Sequence, residues 1–282
     1  MNIAIVGSGG YIAQFLIERL KKNNNIVRIG RTKNFDYDVD LSNPESFDYS
    51  VLNDIDFLVF TAAISSPDKC ATEYDGCWKI NVDGTIYFIR EAMCRKCRVL
   101  FFSSDAVYGK DKGCAFTEQS TTNADTPYGK MKKAVEDEFR DRKDFKSIRL
   151  SYVFSSKDKF TAYCMNCIQN KEVAEIYHPF YRNVTWISDV VEVVDWLICH
   201  WDGFEPQAIN VAGEELISRI RIADEINRCF EKKLIYTIKK PEPSYFKNRP
   251  EITQMTSLYL SQIIEQKPFS EMVKREFEEM NK

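Results

Sequence analysis

Tyr128 and Lys132, set four residues apart in TPYGKMK, are the residues most able to do chemistry in this sequence. Positions i and i+4 share a helix face, so a phenol and an ammonium can enter one cleft. A cation beside the phenol is expected to favour the phenolate and lower a pKa of about 10. That would suit Tyr128 to proton transfer near neutral pH. Upstream, Ser103 and Ser104 end the apolar run VLFF and open SSDAVYG. A hydroxyl there could hydrogen-bond a reacting oxygen. An incidental Tyr and Lys on a surface helix is the bland alternative, and the elements around them must decide.

The chain opens with a short apolar strand to Val6, then GSGGYIAQFLIERLKK, a glycine turn leading into an amphipathic helix. Gly7, Gly10 and Ala13 keep the spacing that lets backbone approach a pyrophosphate and lets helix pack on strand. The helix N-terminus then faces the phosphates. Gly7, Gly9, Gly10, Tyr11 and Ile12 are therefore the expected cofactor-binding turn. A second strand, IVRIG, ends at Gly30-Arg31-Thr32, where an NAD site usually carries an acid for the ribose 2′-hydroxyl. Arg31 suits a 2′-phosphate instead. NADP(H) is thus the expected cofactor and NAD(H) the alternative, with Thr32 and Lys33 as further contacts. A solvated loop charge is the competing reading of Arg31. Asp40 and Leu41 are placed beside the adenine, and Ser42 is read as a helix cap ahead of Pro44.

DFLVFTAA reads as a buried parallel strand ending in Thr61, Ala62 and Ala63, small enough for a cofactor to lie against. A helical stretch holds Asn81 near its middle. RVLFFSS is the next strand. The helix carrying Tyr128 is expected from Pro127 to about Arg142, capped by Thr126, with a strand from Lys146 to Leu150 after it. This alternation predicts an α/β fold, a doubly wound parallel sheet of Rossmann type. Every residue singled out falls at or just after the carboxyl end of a strand, where such sheets bind ligands.

Residues 1–150 are read as the cofactor-binding domain and 151–282 as mainly a smaller substrate-binding lobe, with 183–212 returning to the sheet. In that lobe a helix is capped by Ser188 or Asp189, and the tail holds two short helices. The 282 residues carry a net charge of −3 without basic clusters, so neither nucleic acid nor a membrane surface is an expected partner. Apolar runs fall well short of a membrane span. The N-terminal strand and glycine loop do not read as a signal peptide, and nine scattered cysteines fit a reducing cytoplasm. Cys94/Cys97 and Cys164/Cys167 have CxxC spacing, but a zinc site needs them to converge, and no metal is expected.

On GSGGYIA, DFLVFTAAI, NVDGT, FFSSDAVYG, TPYGKMK, IRLSYVFS and VTWISDVVEVV, the chain resembles the extended short-chain dehydrogenase/reductase family, sugar-nucleotide branch. The resemblance covers most of the chain. It implies that Ser104, Tyr128 and Lys132 are catalytic, and that Asn81 supports the active-site helix and a bound water. It places Arg31 where NADP-preferring members carry arginine. Sugar-nucleotide 4,6-dehydratases have an Asp-Glu pair in the serine loop; here Asp105-Ala106 lacks the base, which argues against dehydration. Ser104, Asp105 and Arg182 are expected at the substrate, Arg182 on its diphosphate, with His178 and Tyr181 nearby. The function implied is NADPH-dependent reduction of a nucleotide-linked keto-sugar at C4, in surface polysaccharide precursor synthesis. A sugar-nucleotide epimerase is the near alternative, and a non-catalytic NADP-binding regulatory subunit the alternative of another class. Many relatives pair the helices after Asn81 and at Tyr128 into a homodimer, which the resemblance extends to this chain as an expectation.

Overall fold

The protein is described here by a computed structural model covering all residues except 33, 111–112, 231–232 and 281–282. Lys33 therefore lies outside the described residues. The first half alternates strand and helix: β1 (Asn2–Val6), α1 (Tyr11–Leu20), β2 (Asn25–Gly30), β3 (Tyr37–Asp38), β4 (Phe57–Phe60), α2 (Pro67–Thr72), α3 (Tyr74–Trp78), α4 (Thr85–Cys94), β5 (Arg98–Ser104), α5 (Pro127–Glu138) and β6 (Phe145–Leu150). Beyond these come β7 (Val153–Phe154), α6 (Lys159–Asn170), β8 (Ala174–Tyr177), β9 (Tyr181–Asn183), β10 (Thr185–Trp186) and α7 (Ile187–Cys199). The chain then makes β11 (Ala208–Val211), β12 (Leu216–Ser218), α8 (Arg219–Cys229), β13 (Tyr236–Lys239), β14 (Ile252–Thr253) and α9 (Phe269–Met280).

Seven strands form one parallel sheet in the order β11-β6-β5-β4-β1-β2-β3. The order reverses at β1/β4, which opens a crevice beyond their carboxyl ends. FLVF of β4 is buried throughout, because helices cover both faces of the sheet. Alternate strand residues divide between the two cores. Ile3, Ile5, Val59 and Leu100 pack against α1 and α7, whereas Ala4, Val6, Leu58 and Val99 pack against α4 and α5. The Rossmann-type α/β architecture expected from the sequence is present. β11 comes home from the C-terminal half and pairs with β6. A third core holds α6, α8, α9 and the short strands around them.

Several local expectations need correcting. Ser42 caps no helix; its backbone N and Oγ donate to Asp40 Oδ1, and Asn43 precedes the short turn at Pro44. Neither Ser188 nor Asp189 caps α7, which already begins at Ile187 after Trp186. α5 ends at Glu138, short of Arg142. The tail closes with a helix of 12 residues, not a short one.

α5 is held to the sheet by a buried ion pair. Arg149 on β6 donates through Nε to Glu136 Oε1 (3.1 Å) and through Nη2 to Oε2 (2.6 Å). The side chains are 9% and 7% exposed. Arg149 Nη1 also donates to Tyr108 OH (2.9 Å), and Tyr108 OH donates to Asn210 Oδ1 (2.8 Å) on β11. Burial opposes the charge on Arg149, yet Glu136 outweighs it and the guanidinium is held more firmly protonated than usual. Removing one partner strands the other charge in the core. Glu136→Ala is expected to cost about 3–5 kcal/mol in urea unfolding, whereas Arg142→Ala, which breaks the exposed pair with Asp144, should cost about 1 kcal/mol or less.

Candidate active site

β5 delivers Ser104 to the edge of the crevice. Its Oγ accepts from Ala106 N (3.2 Å) and lies 2.9 Å from Asp105 Oδ1, closing a short turn over Asp105–Val107. α5 starts against that turn. Thr126 Oγ1 accepts from Gly129 N (3.2 Å) as the cap, with Pro127 in the first turn. A Cβ on Gly129 would collide with the Ala106 carbonyl and meet Thr126 Oγ1 at 3.0 Å. Glycine thus lets backbone touch backbone, and Tyr128 comes within electrostatic reach of Asp105.

Lys132 is buried one helical turn further on. Its Nζ donates to the Phe102 carbonyl (2.6 Å) and sits 4.4 Å from the Phe101 ring centroid and 5.9 Å from that of Tyr128. Burial pulls its pKa down to about 7, against the opposing pull of Glu136 and Cys70. The expected lowering of the Tyr128 pKa is not found. Burial, then Cys70 and Asp105, push the phenol well above its ordinary value. Burial penalises the phenolate, and the neighbouring lysine, bonded to a carbonyl, does not offset it. Tyr128 is therefore a protonated donor at neutral pH.

Asn81 lies in a wide helical turn, Lys79–Gly84, between α3 and α4. Its amide makes a two-way clasp with Ile64, accepting at Oδ1 from Ile64 N (2.8 Å) and donating from Nδ2 to Ile64 O (3.0 Å). Nδ2 also reaches Met131 Sδ (3.5 Å) on α5. Asn81 thus ties the loop after β4 to the helix that carries Tyr128.

The crevice beside this group is a cleft of about 320 Å³. Gly7, Gly9, Gly10, Arg31, Asp40, Leu41, Thr61, Ala62 and Ala63 all line it. Gly7 has φ +90°, and a Cβ there would stand 2.6 Å from Ala62 N. No side chain caps the N-terminus of α1 at Gly10, so its first N–H groups remain available to an anion. These features fit a dinucleotide. Ala13 is buried against the sheet. Tyr11 uses its hydroxyl on Ser155 Oγ (2.6 Å), linking α1 to the chain after β7, and Ile12 packs between two cores. Arg31 is exposed at the cleft rim, close enough to help hold Asp40 ionised after the Ser42 hydrogen bonds. Phe35, Ile64 and Ile80 also line the cleft and were not foreseen. Phe35 lies against Gly9 and Gly30; its place depends on an irregular loop without periodicity.

Across from Ser104 stand residues of the C-terminal half. Arg182 is buried, with Nε 3.6 Å from Asp105 Oδ2. Its Nη1 donates to Tyr181 O (2.6 Å) and its Nη2 to Pro250 O (2.7 Å). In this arrangement the guanidinium serves the protein's own carbonyls, so the expected free fork for a diphosphate is not what the geometry presents. Arg219 and Arg249 lie beside it. Arg182 and Arg219 flank the Phe180 ring at 4.3 and 4.4 Å, and Arg249 covers Tyr245 at 4.4 Å. Arg219 Nε and Arg249 Nε are buried without a partner among the described residues, as is His178 Nδ1. Neither arginine stood out in the sequence, because each is distant in the chain from Ser104. Among the described residues no group of three or more His, Cys, Asp or Glu could hold a metal, and no helix is long and apolar enough to cross a membrane.

The family model described as RmlD substrate binding domain matches residues 1–282. The spore coat polysaccharide biosynthesis protein SpsK of Bacillus subtilis is 26% identical over 205 residues, 72% of this chain and 71% of that protein. Among solved structures, a dTDP-4-dehydrorhamnose reductase from Bacillus anthracis in complex with NADP superposes with a TM-score of 0.85 at 18% identity, covering 99% of both chains. A UDP-glucuronic acid 4-epimerase from Bacillus cereus, in complex with UDP-glucuronic acid and NAD, gives 0.82 at 18% identity, covering 100% of this chain and 99% of that one. At such identity these two likenesses concern the fold alone.

Lys132 links the site to stability. Its folded pKa lies near 7, below an unfolded value of about 10.4, so the unfolded chain binds the extra proton between those values and stability rises with pH across them. Lys132→Met should therefore stabilise the fold by about 2–4 kcal/mol below pH 7, with the gain shrinking towards pH 10. Thermal unfolding across that range checks the sign.

Proposed function

Because the chain belongs to the family of the RmlD substrate binding domain, we propose that it is an NADPH-dependent reductase of a nucleotide-linked 4-keto-6-deoxy sugar. In coarser terms it is an NAD(P)-dependent oxidoreductase of the sugar-nucleotide class. The observation that carries the finer reading is Arg31 on the cleft, a residue suited to a 2′-phosphate; the contact of α5 with the Ser104 turn through Gly129 supports the chemistry. That contact holds the start of the helix that carries Tyr128 against the turn that Ser104 opens. When bound, the nicotinamide supplies hydride to the carbonyl carbon.

The chain's own residues do the remainder. Tyr128 gives its proton to the oxygen as negative charge develops there. Burial, which keeps that proton on in the resting enzyme, makes Tyr128 a proton donor in the direction of reduction. Ser104 hydrogen-bonds the same oxygen and stabilises the growing charge. Lys132, its pKa brought down by burial to about 7, holds the nicotinamide ribose and answers the charge left on the phenol. Gly7, Gly9, Gly10, Tyr11 and Ile12 form the turn that receives the pyrophosphate, and Thr61, Ala62 and Ala63 form the floor. Arg31 takes the 2′-phosphate, with Asp40 and Leu41 at the adenine. The half from residue 151 onward, apart from the returning 183–212, covers the sugar nucleotide.

The epimerase reading uses the same Tyr, Ser and Lys. Arg31 just after β2, at the position where an NAD site usually carries an acid, favours a cofactor that carries a 2′-phosphate and exchanges with solution. The work is expected in the cytoplasm, where NADPH and sugar nucleotides are found, and SpsK of Bacillus subtilis bears a name from spore coat polysaccharide synthesis, in keeping with a place in precursor supply.

Tyr128→Phe should lower kcat by about 10²–10⁴-fold, the usual worth of a positioned proton donor, while NADPH binding measured by fluorescence titration stays nearly intact. Turnover at the level of the unaltered enzyme would sink the assignment. Arg31→Ala should weaken NADPH by about 10–100-fold, as expected for lost charge-assisted bonds, and NADH far less. Equal losses for the two cofactors would refute the 2′-phosphate role.

A further inference from the structure

Ser104 has one proton and two lone pairs. One lone pair accepts from Ala106 N (3.2 Å), and the hydroxyl faces Asp105 Oδ1 at 2.9 Å. Two arrangements satisfy that second contact. If Asp105 is a carboxylate, it can only accept, so Ser104 gives it the proton and has none for a substrate oxygen. If Asp105 is a neutral acid, it donates to Ser104, whose O–H is then free to point into the cleft. Only the second arrangement fills every position of the serine and still polarises a carbonyl.

We propose that Asp105 is the positioning residue of this site: its neutral carboxyl, by donating to Ser104 Oγ, turns the serine proton towards the substrate carbonyl, and its ionised form turns it away. This rests on the reading of Ser104 as the hydrogen-bond donor to that carbonyl. No proton is transferred in the step; a hydrogen bond changes direction.

The surroundings of Asp105 favour its neutral form relative to an ordinary aspartate. Burial raises its pKa, while Arg182, the Ser104 hydroxyl and the Ala106 N–H pull the other way. Arg182 Nε stands 3.6 Å from Oδ2, too far for a hydrogen bond, and its Nη1 and Nη2 donate to backbone carbonyls. From α5, Tyr128 lies within electrostatic reach of the same carboxyl, whose charge disfavours ionisation of the phenol. Behind Arg182 lie Arg219, Arg249 and Tyr245, which act on its charge. A strong bidentate pair would have fixed the carboxylate; this single offset contact does not.

The test compares pH profiles. For the unaltered enzyme, kcat/KM for reduction should fall as pH rises through the Asp105 pKa, since the competent form is the neutral one. An Asn at this position donates to Ser104 at every pH, so the ratio of Asp105→Asn to unaltered enzyme should climb by about tenfold per pH unit along that limb. A ratio flat with pH, or an Asp105→Asn enzyme that is folded yet dead throughout, overturns the proposal. A second measurement stands apart from turnover: 13C carboxyl NMR of the full-length protein, with the Asp105 signal assigned by its loss in Asp105→Asn. A titration step above the ordinary aspartate value of about 3.9 supports the proposal; one at or below that value overturns it. Failure of the unaltered enzyme to reduce any keto-sugar would instead count against the reductase reading, and the NMR titration would still judge Asp105.

Discussion

The buried pair between Glu136 and Arg149 is the constraint on which the site depends. A parallel sheet leaves its functional loops at the carboxyl ends of strands, where nothing in the sheet itself fixes a helix to within an ångström. Here the fixing is done by charge. Glu136 sits one turn beyond Lys132 on α5, and Arg149 binds it from β6. Through Tyr108 the same guanidinium reaches the chain just after the Ser104 turn and, through Asn210, the returning strand β11. One network therefore joins the helix with Tyr128, the segment following Ser104 and the sheet under both. Asn81 does the complementary work from the other side, clasping Ile64 and touching Met131.

Around that frame burial sets the protonation states. It holds Tyr128 protonated, brings Lys132 down to about 7 and raises Asp105. All three shifts have the same leading cause, burial, and in each the neutral form gains. The resting site thus carries less net charge than its residue types suggest. A reaction that builds negative charge on one oxygen then meets donors already in place, with little reorganisation needed.

Much of this was legible in the sequence because it was local or periodic. GSGGYIA, FLVFTAA and FFSSDAVYG each sit at a strand end, and Gly7, Gly9, Gly10, Thr61, Ala62 and Ala63 from the first two line one cleft. The 3.6-residue period placed Tyr128 and Lys132 on one turn of α5. What the sequence withheld was anything decided by contacts between distant segments. Phe35 lies in an irregular loop, and Arg219 and Arg249 meet Arg182 only after the C-terminal half folds over the sheet. Arg182 looked free to bind a diphosphate because the carbonyls of Tyr181 and Pro250 that hold it carry no side-chain signal. The same holds for protonation: the spacing of Tyr128 and Lys132 suggested mutual attraction, but burial, a tertiary property, reversed the effect on the phenol.

The central claim is net hydride transfer to a nucleotide-bound keto-sugar, and the direct measurement is NADPH oxidation by the purified, full-length protein. The assay would use dTDP-, UDP-, GDP- and CDP-linked 4-keto-6-deoxy sugars, following absorbance at the nicotinamide band together with the sugar product. The account predicts that at least one of these is reduced, with one NADPH consumed for each product molecule formed. No oxidation with any of them, or conversion of a sugar nucleotide to its epimer without net NADPH consumption, would contradict it.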